Sequence, residues 1–427
     1  MHETMEERTG SPWLLPALML GGAAAGAVLG SLLGARWSDP GLEPLVLAVR
    51  LCGEIFLSLL KGLIVPLVVT SVINAVTRMG DMRRMGKLAG LTAFYFLSTT
   101  FIAVGTGIFL VNLIRPGESG GELPATVALP ETGSTAQAVY DVIAGMFPSN
   151  LFLAASEGNV LGLIVFSLLF GAVLTLEGKR ARALVQVIDA ANEALLRLVR
   201  YVIWLAPVGI FGLVADRLGR AGGGDVIWAE LQRLGWYALT VMLGLAIHSI
   251  VTLPLLLRIF ARRSPARYAA GMADALITAV GTASSAATLP VTLRCTTVDN
   301  GVSRRAAEFV LPIGATINMD GTALYEAVAV IFIAQTLGVD LAFEQQLVIL
   351  CTATLAAVGA AAIPEAGLVT MVIVLAAVGL PAEGIGLILS IDWVLDRFRT
   401  AVNIWGDAVG AGILDRFVRP GSVEETA

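Results

Sequence analysis

The sequence predicts an all-helical integral membrane protein, and three observations lead to that assignment. Of its 427 residues, 56% are apolar and only 14% are charged, whereas an ordinary soluble domain carries roughly a quarter charged residues. The charges are clustered, so that Thr9–Ala35, Leu88–Ile114, Gly158–Leu176 and Leu234–Leu257 contain no Asp, Glu, Lys or Arg. Those runs match the roughly 20 residues a helix needs to cross the hydrocarbon core, and they lack the about 10-residue alternating segments of a membrane β-barrel. A single soluble enzyme domain is excluded. A net charge of −5 without a basic patch argues equally against a nucleic-acid partner.

Taken in order, Glu3, Glu6, Glu7 and Arg8 precede an apolar run too long for a signal peptide, so the first helix is expected to be retained. Basic residues then mark alternate connections: Arg78, Arg83, Arg84 and Lys87, next Lys179, Arg180 and Arg182, and finally Arg258, Arg262, Arg263 and Arg267. The connection Pro116–Asn150 carries Glu118, Glu122, Glu131 and Asp141 but no Lys or Arg. The excess of Lys and Arg identifies the cytoplasmic side. This predicts a multi-pass protein of the cell (inner) membrane, with both termini cytoplasmic, an external loop at 116–150 and six crossings up to about residue 257. Cys52, Cys295 and Cys351 read as small buried hydrophobes rather than a disulfide framework. His2 and His248 are too far apart to suggest a histidine metal site.

Four apolar tracts remain, at about 268–294, 304–337, 345–381 and 384–414. Gly281-Thr-Ala-Ser-Ser-Ala-Ala-Thr-Leu-Pro290 interrupts the first, and Gly359-Ala-Ala-Ala-Ile-Pro-Glu-Ala-Gly367 interrupts the third, each at its middle. Either tract alone is compatible with a kinked helix. Two of them, each followed by a helix with intramembrane acids, predict re-entrant hairpins, and broken segments in corresponding positions point to a transport site.

Charges at mid-bilayer are costly and therefore functional by default. The last tract holds Asp392, Asp396, Arg397, Arg399, Asn403 and Asp407. At about 100° per residue, Asp392, Asp396, Arg399, Asn403 and Asp407 share an arc of roughly 80°. Ile391, Val394, Leu395, Val402 and Ile404 make the other faces apolar. Arg399 offers a planar fork for a carboxylate and Asp396, one turn away, can receive an ammonium, so a zwitterion satisfies both. Asp392 and Asp407 then need counter-charges, which a hard cation held by oxygens supplies. Asn318-Met-Asp-Gly-Thr322 adds oxygens, with an unwinding expected at Gly321 beside Asp320. Glu326, one turn beyond Thr322, is a second buried acid suited to carrying a proton, because burial disfavours a charged carboxylate. Tyr95, Ser98 and Thr99 share one helix face; taken alone, such hydroxyls usually bond back to their own helix or across a helix interface.

The run Asn318-Met-Asp-Gly-Thr-Ala-Leu-Tyr325, the tip Ser284-Ser-Ala-Ala-Thr-Leu-Pro290 and Asp396-Arg-Phe-Arg-Thr400 with Asn403 and Gly406-Asp407 resemble the glutamate/aspartate transporters, the dicarboxylate/amino acid:cation symporter family, over nearly the whole chain. The resemblance implies eight transmembrane helices plus two re-entrant helical hairpins in inverted repeats, assembled as a homotrimer. It implies scaffold helices 1–2 in residues 1–87, transport-domain helix 3 in 88–115, the external loop in 116–150 and scaffold helices 4–5 in 151–222. The transport domain resumes at 223–427, with helix 6, hairpin 1 at about 268–294, helix 7 at about 304–337, hairpin 2 at about 345–381 and helix 8 at about 384–418.

Residue by residue, Asp396 resembles the amine ligand and Arg399 the ligand of the side-chain carboxylate. Thr322, Thr400 and Asn403 resemble further substrate contacts, and Ser284 with Ser285 resembles the tip that holds the α-carboxylate. Asn318, Asn403, Asp407 and the Gly314 backbone resemble one sodium site; Tyr95, Ser98, Thr99, Asn318 and Asp320 resemble a second. Carbonyls near Thr316, Ala357, Val358 and Ala360 resemble a third, although second-hairpin positions that are Ser and Thr in archaeal members are Ala here.

Ala283 replaces the archaeal arginine at the first tip, while Arg397 and Glu326 are similar to the animal excitatory amino acid transporters. The resemblance therefore implies sodium and proton symport of aspartate or glutamate, with Glu326 and Arg397 in proton and potassium coupling and potassium counter-transport left open. No cofactor is implied beyond sodium as the coupling ion, and no enzymatic activity. The rivals are a proton-driven C4-dicarboxylate carrier, in which Asp396 lacks a partner, and a neutral amino acid exchanger, which the retained Arg399 disfavours. A channel and an intramembrane enzyme fit less well, since Ser284 and Ser285 have no base beside them.

Overall fold

The computed structural model describes residues 14–80, 87–119, 140, 143–157, 159–224, 226–358 and 366–417, and all regular structure among them is helical. Six of the described helices are long and apolar enough to cross a membrane, or seven if one bent pair counts as a span. In chain order the principal helices are α1 (Leu14–Leu33), α2 (Glu43–Gly80), α3 (Lys87–Ile114), α4 (Val160–Glu177), α5 (Arg182–Ile203), α6 (Ala206–Arg220) and α7 (Val226–Ile247). They are followed by α8 (Ala273–Thr282), α9 (Ser285–Arg294), α10 (Arg304–Ile317), α11 (Asp320–Thr336), α12 (Phe343–Val358), α13 (Ala366–Ala377) and α14 (Ile385–Leu414).

Two packing groups emerge. In the first, α1 lies along α6, and α2 packs on α4, α5 and α6. Gly22, Gly26 and Gly30 make the α1–α6 approach possible: a Cβ at Gly26 would stand 2.5 Å from Phe211 O, and one at Gly30 2.7 Å from Ala215 O. This four-residue spacing of small residues lets transmembrane backbones approach closely. The bend of 53° between α5 and α6 coincides with Pro207, which has no N–H to continue the preceding helix.

In the second group α11 is central. Every one of its residues is buried, and it packs on α3, α7, α12, α13 and α14. A helix enclosed on every side suits the middle of a bundle, and the acids Asp320 and Glu326 that it carries are buried with it. The groups meet mainly where α13 touches α2 and where α14 touches α6 and α1.

Of the two tracts marked as interrupted in the sequence, the first is broken within the described residues. The first breaks between α8 and α9, which pack on each other, with Ala283 in the left-handed region at φ 49° and the Ser284 hydroxyl accepting from Ala287 N at 3.2 Å. In the third, α12 and α13 also pack together, while its tip at 359–365, with Ala360, lies outside the described residues. So does most of the expected external loop at 116–150. The second tract separates α10 from α11 at Asn318 and Met319, whose backbones leave helical geometry (φ −98°, ψ 83° and φ −109°, ψ 53°). The unwinding expected at Gly321 therefore lies further back. Gly321 is already helical, and its lack of a side chain serves a close approach instead, since a Cβ there would stand 2.8 Å from Arg399 O.

Candidate functional site

The break between α10 and α11 faces the polar side of α14, and the two together assemble the chemistry. Arg399 is completely buried. Its Nη2 donates to Asp396 Oδ1 at 2.8 Å and lies 3.1 Å from Asp392 Oδ1. Tyr325 of α11 presents its ring face to the guanidinium at 3.8 Å, a placement that favours a desolvated cation. Arg399 Nε and Nη1 have no hydrogen-bond partner among the described residues. Asp392 thus has a protein counter-charge that the sequence did not suggest: Asp396 one turn and Asp392 two turns before Arg399 lie on the same face of α14, which brings both carboxylates to one guanidinium.

Asn403, one turn beyond Arg399, ties α14 to the start of α11. It accepts from Gly321 N at 2.8 Å and donates to Thr322 Oγ1 at 3.3 Å and Met319 Sδ at 3.3 Å. Thr400 sends its hydroxyl back to Asp396 O at 2.8 Å. Gly367 of α13 comes so close that a Cβ there would stand 2.9 Å from Arg399 Nη1 and 3.2 Å from Thr322 Cγ2.

A second cluster lies deeper. Asn318 donates to Asp407 Oδ1 at 2.9 Å and accepts from Thr99 Oγ1 at 3.4 Å. Asp320 accepts from Thr100 Oγ1 at 2.6 Å and stands 3.2 Å from His248 Nε2. The Tyr95 hydroxyl donates to Gly406 O at 3.0 Å. Gly314 faces the Asp407 carboxylate so tightly that no Cβ fits between them. Thr99 also bonds Tyr95 O and Phe96 O, each at 3.1 Å, as hydroxyls in membrane helices do. Ser98 is only half-buried on the same helix.

Glu326 is fully buried two turns along α11, and its Oε1 accepts from the Thr370 hydroxyl of α13. Ser284 and Ser285 are buried at the α8–α9 tip. Thr316 is half-buried and bonds Ile313 O at 3.0 Å, and Ala357 and Val358 are buried at the end of α12. Arg397 is half-buried over the Trp393 ring at 5.8 Å.

Charge counting says what this arrangement requires. Asp320, Glu326, Asp392, Asp396 and Asp407 are five buried carboxyl groups on α11 and α14, and among the described residues the buried cationic groups in contact with them are the Arg399 guanidinium and, when protonated, the His248 imidazole. Even with the imidazole charged, three negative charges lack compensation. An unpaired buried charge costs several kcal/mol, so protons or cations must accompany the carboxylates. Among the described residues no group of three or more His, Cys, Asp and Glu could hold a metal ion. The cation ligands on offer are instead isolated carboxylates flanked by amide, hydroxyl and backbone oxygens, which suit hard ions.

Four participants were not singled out in the sequence: Thr100, His248, Tyr325 and Thr370. His248 left the clearest signal, the one titratable imidazole in the charge-free run Leu234–Leu257. Thr370 left none, because its role depends on α13 folding back onto α11.

The sodium:dicarboxylate symporter family model matches residues 15–417. The chain is 44% identical to the human excitatory amino acid transporter 3 over 85% of this chain and 78% of that protein. It is 40% identical to an excitatory amino acid transporter of Caenorhabditis elegans over 94% of this chain and 88% of that protein. It is also 40% identical to excitatory amino acid transporter 1 of Ambystoma tigrinum, over 86% and 77% respectively. With the family model matched across residues 15–417 and relatives at 40–44% identity, this chain belongs to the sodium:dicarboxylate symporter family.

Proposed function

We propose that this protein is a sodium-coupled secondary active symporter that imports acidic amino acids, L-aspartate or L-glutamate. The observation that carries the reading is the buried Arg399 fork beside Asp396, set among carboxylates that outnumber it. An acidic amino acid brings a carboxylate for Arg399 Nε and Nη1 and an ammonium for Asp396, and sodium supplies the missing positive charge. Thr322, Thr400 and Asn403 complete the substrate site, and Ser284 and Ser285 hold the α-carboxylate.

Sodium travels as cargo. One ion uses Asn318, Asn403, Asp407 and the Gly314 carbonyl; a second uses Tyr95, Ser98, Thr99, Asn318 and Asp320; a third uses carbonyls near Thr316, Ala357, Val358 and Ala360. Glu326 carries a proton, and Arg397 belongs to the return step that potassium would drive. The two packing groups support a static scaffold (α1, α2, α4–α6) and a mobile transport domain (α3, α7–α14). In this reading the chain forms eight membrane helices and two hairpins, assembles as a homotrimer in the inner membrane and keeps both termini cytoplasmic.

The decisive experiment is uptake of labelled L-aspartate into proteoliposomes under an inward sodium gradient, with and without internal potassium. Uptake should collapse without sodium. Uptake that ignores sodium but follows a proton gradient would move the dicarboxylate-type coupling to first place.

Two variants probe the ion sites. Gly314→Ala forces a methyl against Asp407 and is expected to raise the sodium half-saturation at least about tenfold, a shift of about 1.4 kcal/mol. Gly105→Ala, where a Cβ meets nothing within 4 Å, should leave it unchanged. Glu326→Gln removes the carboxylate that accepts from the Thr370 hydroxyl and should uncouple uptake from protons. A pH-sensitive dye inside the vesicles reads this directly, and wild-type acidification per aspartate would remove Glu326 from that role.

A further inference from the structure

Outside the site, neighbouring residues at the end of α6 face opposite ways. Asp216 accepts from Trp37 Nε1 at 3.2 Å, Arg50 Nε at 3.4 Å and Arg220 Nε at 2.9 Å. These contacts bind α6 to α2 and to the α1–α2 connection. Arg217 turns toward α7, where its Nη2 lies 3.0 Å from Glu230 Oε1 and 3.2 Å from Oε2, with Nε 3.2 Å from Oε1. Glu230 also accepts from Arg233 Nη1 at 3.2 Å, and Arg233 Nε donates to Ser119 O, just beyond α3, at 3.0 Å. Ion pairs therefore run from α6 across to α7, and a hydrogen bond from Arg233 continues to the end of α3.

The covalent link between α6 and α7 passes through Gly222, Gly223 and Gly224, all left-handed at φ 93°, 72° and 49°. Glycine alone adopts such a run without strain. The turn is seated on the end of α1, where a Cβ at Gly223 would stand 2.5 Å from Ser31 O. Beyond it α7 packs chiefly on α3, α11 and α14, with the other packing group left behind.

We infer that Arg217, Glu230 and Arg233 form an ionic latch across the joint between the two packing groups, one that must open when they move relative to each other. The inference rests on the scaffold and transport division proposed above. Two guanidiniums share one carboxylate, which makes the latch reversible. When Arg217 leaves, Glu230 keeps Arg233 on its own helix, so no buried carboxylate is stranded, the outcome that makes breaking a buried pair so costly. Arg217, with 23% of its side chain exposed against 7% for Glu230, is the partner that water can take up. The glycine turn then absorbs the backbone change.

The test compares Arg217→Gln, Arg217→Lys and Arg50→Gln in proteoliposomes, with hydrogen exchange of the 219–224 amides measured alongside. Arg217→Gln should speed sodium-driven aspartate turnover about threefold with KM unchanged, which at about 1.36 kcal/mol per decade is about 0.65 kcal/mol, within the range of a partly exposed pair. It should also hasten exchange in the turn. Arg217→Lys should return both readouts toward wild type, and Arg50→Gln, which cuts a contact within the first group, should leave turnover unchanged. A merely structural clamp would instead slow or preserve turnover in Arg217→Gln, and either result overturns the latch. Exchange needs no substrate: if the wild-type protein takes up no aspartate, the transport reading fails, and unchanged exchange in Arg217→Gln would sink the latch independently.

Discussion

Arg399→Cys is expected to abolish the preference for acidic substrates and to favour small neutral amino acids such as serine. Removing one partner of a buried, hydrogen-bonded charge pair costs about 2–5 kcal/mol, and at about 1.4 kcal/mol per decade the loss of aspartate affinity should reach at least about 30-fold. The guanidinium is wholly enclosed, stacked on Tyr325 and shared by Asp392 and Asp396. Its loss strands both carboxylates, so residual serine uptake is the readout that separates a folded, retuned transporter from a collapsed one. Competition of labelled serine by unlabelled aspartate gives the preference ratio. A variant that still prefers aspartate to serine would show that another group recognises the side-chain carboxylate. Arg399→Lys keeps the charge but loses the fork, and should fall between the two.

Asp407→Asn and Asp320→Asn are expected to weaken sodium and aspartate together. Each carboxylate is buried and already holds protein donors, Asn318 for Asp407 and Thr100 with His248 for Asp320. A neutral amide keeps the shape and removes the charge that an ion needs. The sodium half-saturation should rise at least about tenfold, and linkage requires the aspartate affinity at fixed sodium to fall in step. Measuring aspartate uptake across a sodium series for both variants checks this. An unchanged sodium half-saturation in one variant would strike that residue from the cation sites while leaving the other in place.

Much of this site was legible along the chain because it is built on helices. Five residues of α14 spaced at helical intervals share one face whatever surrounds them, and Asp392, Asp396, Arg399, Asn403 and Asp407 are indeed all buried together. Small residues with proline or glycine midway through apolar tracts announced breaks, and the break between α8 and α9 falls at Ala283 and Ser284 as the tip motif indicated. Local spacing failed where the partner is remote. That Asp392 would share Arg399 with Asp396 depends on rotamers chosen in a packed interior. That Gly321 would spare room for the Arg399 carbonyl, leaving Asn318 and Met319 to carry the unwinding, depends on how closely α14 approaches α11.

By itself, then, the sequence determined the medium, the helical class, the broken segments and the charged face, because each follows from composition or from periodicity along a single helix. Only the tertiary structure decided which groups meet. Thr100 and His248 reach Asp320 from positions 220 and 72 residues away, Thr370 reaches Glu326 from 44, and Arg217 meets Glu230 over a turn of glycines. Such pairings are settled by the desolvation of buried polar atoms, most of which take a partner wherever the fold brings one within about 3 Å.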